Sequence, residues 1–162
     1  RVKTCLLVET LGAVNSLSEI LQLKDIQRIH IGLNDIHIER KSKFMFEPFS
    51  DGMLEEISKL VCSQNIKLGI GGVSKIGSKL IPSPEKILAE HVRLGSSSVI
   101  LSRSFLDTST SKNLDFIKKE FSEGVSSIRE YEKTLSSWTN EMFIKNSLDI
   151  KEEINFIINN NE

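Results

Sequence analysis

Several features are scarce in this sequence, and each scarcity excludes something. Only two cysteines, Cys5 and Cys62, occur among 162 residues. Both stand in apolar patterns and read as buried thiols, which argues against a disulfide framework. No apolar run approaches the roughly 20 residues of a membrane-spanning helix, and no secretory leader is visible. Positive charge is not in surplus: 21 Lys and Arg face 22 Asp and Glu, for a net charge of −1. SKIGSK at 74–79 is only a small basic cluster, so nucleic acid is not an expected partner. A cytoplasmic protein with no membrane contact is the expectation. Phosphate signatures are missing too. GIGGVSKIGSK has neither the P-loop spacing nor a dinucleotide fingerprint.

What is present is one ordinary domain's worth of chain, 39% apolar and 27% charged. It opens RVKTC without an initiator methionine and enters a strand almost at once, as expected of a piece of a longer chain. Strands are predicted at 3–9, 28–32, 66–72 and 97–102. Helices are predicted between them. GAVNSLSEILQL (12–23) places Val14, Leu17, Ile20 and Leu21 at helical spacing, and SDGMLEEISKLVC (50–62) stripes Met53, Leu54, Ile57, Leu60 and Val61. Ser83 and Pro84 form an N-cap and first turn for the helix at 84–95, which a glycine closes. ERKSKFMFEPF (39–49) reads as a polar turn followed by an aromatic patch.

Repeated βα units with short connections imply a parallel sheet. Four such strands fit the C-terminal half of a (β/α)8 TIM barrel; an open doubly wound sheet has the same pattern. A helical C-terminal extension follows, so the expected division is 1–110 and 111–162. The extension carries a stripe of Leu114, Ile117, Phe121, Val125, Ile128, Tyr131 and Leu135 over 113–138, weakened locally by Gly124. A second short helix is predicted over 149–160 with Asp149 as its cap. A stripe this apolar does not lie free in water, and it implies a homo-oligomer.

Two carboxylates stand where a parallel βα fold places ligands. Glu9 ends LLVE, and Asp35 lies just beyond RIHIG. Both should reach the rim at the C-terminal ends of the strands. Two hard oxygen ligands from adjacent strands suit Mg²⁺ or Mn²⁺. The bland alternative is that Glu9 caps the next helix and Asp35 caps a turn.

VET at 8–10, AVNSLSEI at 13–20 and IHIGLNDI at 29–36 together resemble the HpcH/HpaI aldolase and citrate lyase β-subunit family, within the phosphoenolpyruvate/pyruvate superfamily of TIM barrels. The resemblance covers roughly residues 1–107. It departs from the family at Ile20, one place late in its motif, and at Ile36, where the family has leucine. What it implies is a divalent-metal-dependent carbon–carbon lyase, an aldolase that cleaves a 2-oxo acid or related acyl substrate through an enolate. No Schiff-base lysine is then required. Glu9 and Asp35 are the implied metal ligands, with Mg²⁺ or Mn²⁺ as cofactor. The family's arginine and proton-transferring histidine belong to an earlier part of the barrel, so no catalytic residue is assigned within this sequence.

Expected substrate contacts are Gly32, Asn34, Gly71, Gly72, Lys75 and Arg103. The glycines permit close backbone approach. Lys75, Lys79 and Arg103 follow the last two strands, where barrels often bind anions, so a phosphorylated or coenzyme A-linked moiety is an expected part of the substrate. His30 is a weak site candidate, His37 a stronger one near the rim, and His91 reads as structural or exposed. Two other functions fit the same pattern: a noncatalytic barrel that binds a small carboxylate or a protein partner, and a phosphoenolpyruvate-handling barrel of the phosphotransferase type.

Overall fold

A computed structural model describes residues 3–106 and 113–160. Four strands form one sheet: β1 (Thr4–Val8), β2 (Ile26–Ile31), β3 (Lys67–Val73) and β4 (Ser96–Leu101). Neighbours pair in sequence order, and every pairing is parallel. This is the mixed α/β architecture that the βα periodicity implied. Among the described residues β1 and β4 are the sheet's two edges.

Alternation along β2 explains the layering. Ile29 and Ile31 are fully buried, in one cluster with Leu68 and Ile70 of β3. That cluster is covered by Leu54, Ile57 and Val61 of α4 (Met53–Ser63). Successive strand residues face opposite ways, so His30 projects from the other face. There the register aligns Leu7, His30 and Gly69 across three strands.

The structure differs from expectation in four places. The predicted 12–23 helix is split at Ser16 into α1 (Leu11–Asn15) and α2 (Leu17–Ile20). Thr10 caps α1 by accepting from the Ala13 amide at 3.1 Å. The polar turn expected from residue 39 begins later, because α3 (Leu33–Arg40) starts directly after β2 and buries Leu33 and Ile36. The second tail helix, α7 (Asn140–Asn160), is longer than expected, and Asp149 lies inside it instead of capping it. Its buried Ser147, Ile150 and Ile154 straddle Asp149, so burial continues through that position. Lastly, Cys5 and Cys62 are free and exposed. Cys5 lies on an edge strand, and Cys62 is exposed on α4 beside buried Val61.

α5 (Pro84–Arg93) starts at the predicted cap, with Ser83 Oγ accepting from the Lys86 amide at 3.4 Å. Its Glu90 is fully buried and receives hydrogen bonds from Arg93 and from Asn146 of α7. Arg93 also pairs with Glu55 of α4, so one polar network ties three helices together. α6 (Leu114–Leu135) buries Ile128 and Leu135 in a second cluster with Val73, Leu88, Ala89 and Phe105. Leu114, Phe121 and Val125 of the same stripe stay exposed. The expected division at 110–111 lies outside the described residues.

Candidate active site at the strand ends

A cavity of about 660 Å³ opens at the C-terminal ends of the strands. Its lining includes Glu9, Gly32, Asn34, Asp35, Gly71, Gly72, Ser102 and Arg103. Both predicted metal ligands and five of the six predicted substrate contacts therefore meet there. Glu9 is the first residue after β1, and Asp35 lies in the first turn of α3. The caps are supplied by other residues: Thr10 caps α1, and Gly32 is the cap residue of α3.

Gly32 shows why these positions suit one another. A Cβ there would lie 2.7 Å from Glu9 Cβ and 3.2 Å from Glu9 Oε2. Any side chain at residue 32 would displace the glutamate. The absence of one lets Glu9 lie against the end of β2, whose Gly32 amide donates to the Val8 carbonyl at 2.9 Å. Two carboxylates on one cavity wall fit Mg²⁺ or Mn²⁺, which keep several water or substrate oxygens beyond one or two protein carboxylates. Zinc-type sites need three or four protein ligands, and no cluster of three or more His, Cys, Asp or Glu side chains occurs among the described residues.

The wall formed by β3 and β4 is different. Ser104 Oγ donates to Ser74 Oγ at 3.0 Å and lies 2.7 Å from Ser102 Oγ. This row of hydroxyls and exposed Arg103 line the cavity. Lys75, expected as a substrate contact, is not among the lining residues. Its ammonium pairs with Glu120 of α6 and sits 6.0 Å from the centre of the Phe105 ring. The carboxylate draws the lysine toward α6 and away from the ligand space. Lys79 is exposed and is not among the lining residues.

His37 is also outside the lining; its Nδ1 lies 2.7 Å from Ser42 Oγ. His30, by contrast, lines the cavity and is buried. Burial lowers its pKa, and the nearby Arg28 charge lowers it further. His91 is buried as well, which corrects the idea that it could be exposed. It stacks on Phe49 at 6.0 Å between ring centres, and burial followed by the effect of His30 lowers its pKa to about 3.

Sequence reasoning also missed the apolar mouth. Phe44, Met45, Phe46, Leu80, Ile81 and Pro82 line the cavity. The aromatic patch at 44–49 was a usable signal. Phe44 and Phe46 meet edge to face at 5.5 Å, and the Phe44 amide donates to Glu47 Oε1 at 2.8 Å. Nothing in the sequence showed that the 74–83 segment would fold across the same opening.

No protein-family model and no curated protein matches this sequence. Among solved structures, a citrate lyase from Burkholderia xenovorans LB400 superposes with a TM-score of 0.49 at 15% identity. The match covers 83% of this chain and 52% of that one, so this chain spans about half the length of that neighbour.

Proposed function

We infer that this chain forms part of a divalent-metal-dependent carbon–carbon lyase that acts on a 2-oxo acid through an enolate. The observation that carries the reading is the meeting of Glu9 and Asp35 on one cavity wall, at the ends of neighbouring parallel strands. The motif resemblance of VET, AVNSLSEI and IHIGLNDI adds the reaction class.

Glu9 and Asp35 would hold Mg²⁺ or Mn²⁺ through carboxylate oxygens. When bound, the cation supplies Lewis-acid stabilisation to the charge that develops on the substrate's oxygens. Gly71 and Gly72 let substrate come close to the backbone, while Gly32 seats Glu9. Phe44, Phe46, Leu80 and Ile81 restrict water at the mouth, and lower polarity strengthens the electrostatic contacts inside. Arg103, with the serine row beside it, suits an anionic or hydroxyl-bearing substrate end. The sheet's uncovered face, with Leu7 and Ile100 about half exposed, is where the remaining strands of a barrel would close. The cytoplasm and a homo-oligomer belong to this reading as well.

The test measures Mn²⁺ binding and 2-oxo acid cleavage for the unaltered protein and for Asp35→Asn, with added Mn²⁺ and with a chelator. The expected result is weakened metal binding and at least a roughly hundredfold slower cleavage in the variant, with the fold retained. Equal binding and equal rates in all four conditions would overturn the reading in favour of a noncatalytic binding barrel.

A further inference from the structure

The inner face of the sheet carries a slot directly below the two carboxylates. Its upper rung is Glu9 and Gly32, followed by Gly71; its lower rung is Leu7, His30 and Gly69. The rungs are two residues apart along each strand, about 6.6 Å. His30 is the floor, and glycine on both rungs of β3 leaves room for its ring. A Cβ on Gly69 would lie 2.5 Å from His30 Nδ1 and 2.5 Å from Ser98 Oγ. A Cβ on Gly71 would lie 3.5 Å from His30 Nε2.

The imidazole is only 6% exposed, and its Nε2 is buried with no hydrogen-bond partner. A buried polar atom without a partner is costly, and a bound ligand is one way such an atom is satisfied. Nε2 itself is closed to solvent, so a ligand reaches it beside Gly71 only after a small turn of the ring, an approach that a side chain at residue 71, 3.5 Å from Nε2 and 3.3 Å from the Ile31 carbonyl, would block. We propose that His30 is a ligand-binding residue, whose Nε2 hydrogen-bonds an oxygen of a small carboxylate or 2-oxo acid lowered into this slot. The inference deepens the lyase reading and rests on the same cavity, but it needs no metal.

The role follows from the chemistry of the slot. His30 is held neutral, so it offers one N–H and one lone pair without adding a charge beside Glu9 and Asp35. With Nε2 protonated it donates to a carboxylate or keto oxygen. A ligand with a methyl group in that place would leave Nε2 unpaired and would bind less well. His30 therefore selects oxygen-bearing ligands over apolar ones of the same shape.

The experiment uses the whole chain with pyruvate and oxalate as probes. Long-range proton–nitrogen correlation spectra report on the imidazoles of His30, His37 and His91 separately. Saturable movement of the His30 nitrogens, with His91 unmoved, is the expected result. His30→Phe should weaken oxalate binding about tenfold, and His30→Gln should recover part of that loss. Circular dichroism checks the fold of both variants, and the unaltered protein's spectra do not depend on them. Movement of His30 in Asp35→Asn and in the presence of a chelator supports the slot even if the metal reading fails. Static His30 nitrogens at saturating probe, or His30→Phe binding oxalate as tightly as the unaltered protein, overturn the proposal while leaving the Asp35 test intact.

Discussion

The two walls of the cavity are built in different ways. On the β1–β2 side, Glu9 and Asp35 follow their strands by one and four residues, and backbone register carries them to the rim. On the β3–β4 side, side chains are placed by one another: Ser104 by Ser74 in the wall, and Lys75, outside it, by Glu120 on a helix 45 residues away. A short βα connection makes position a local property. A longer loop leaves it to whichever tertiary partner attracts the side chain most strongly.

The sharpest way to break this contrast is Gly32→Ala. The new Cβ would meet Glu9 Cβ at 2.7 Å, part of a rigid neighbouring rung. We expect a loss of about 1–3 kcal/mol of stability from overpacking and a Mn²⁺ affinity at least about tenfold lower. Urea unfolding and metal titration measure the two effects. Unchanged metal affinity would mean that Glu9 does not depend on its seat against β2.

Beneath both walls, the buried histidines set a pH dependence. His91 has a folded pKa near 3, below its unfolded value of 6.5. The unfolded chain therefore takes up the proton first as pH falls. Stability from the neutral imidazole is complete above pH 6.5 and is lost as pH falls from there toward 3. The slope approaches about 1.4 kcal/mol per pH unit for this one proton. His91→Leu should flatten that part of the urea-midpoint profile, and an unchanged slope would show that other groups set it.

Smaller effects separate the second wall from the lysine beside it. Ser74→Ala removes the acceptor for the Ser104 hydroxyl and should cost about 1 kcal/mol. Ligand affinity should fall with it, because the serine row lines the cavity. Lys75→Ala should cost less than about 1 kcal/mol, since its ion pair with Glu120 is partly exposed to solvent. Pyruvate affinity should not change. A lysine variant that loses ligand affinity would return Lys75 to the site.

These differences mark how far the sequence could be read. Strand order, parallel pairing and the Ser83–Pro84 helix start were legible, because each rests on local pattern or short connections. Glu9, Asp35 and the glycines were legible as strand-end residues for the same reason. Lys75 was not, because a charge reveals nothing about which carboxylate will reach it after folding. His30 is only weakly legible, since alternation places it opposite Ile29 and Ile31 but does not show what that face adjoins. An apolar pattern does not bury Cys5, because β1 is an edge, and does not bury Cys62, which follows buried Val61 on α4. The break at Ser16 is hidden because apolar spacing continues across it, and Asp149, expected as a cap, lies inside a helix.

Gly124 gives the tail a hold on the cavity. In mid-helix it forfeits about 1 kcal/mol relative to alanine, yet it is buried, and a Cβ there would come within 2.6 Å of the Phe105 ring. Phe105 follows Ser102, Arg103 and Ser104 in the chain. The notch in α6 thus works as a socket, and the phenyl ring as the plug of a short lever whose other end is the serine wall. A side chain at residue 124 would push on that ring, three residues along the chain from Ser102 and next to Ser104.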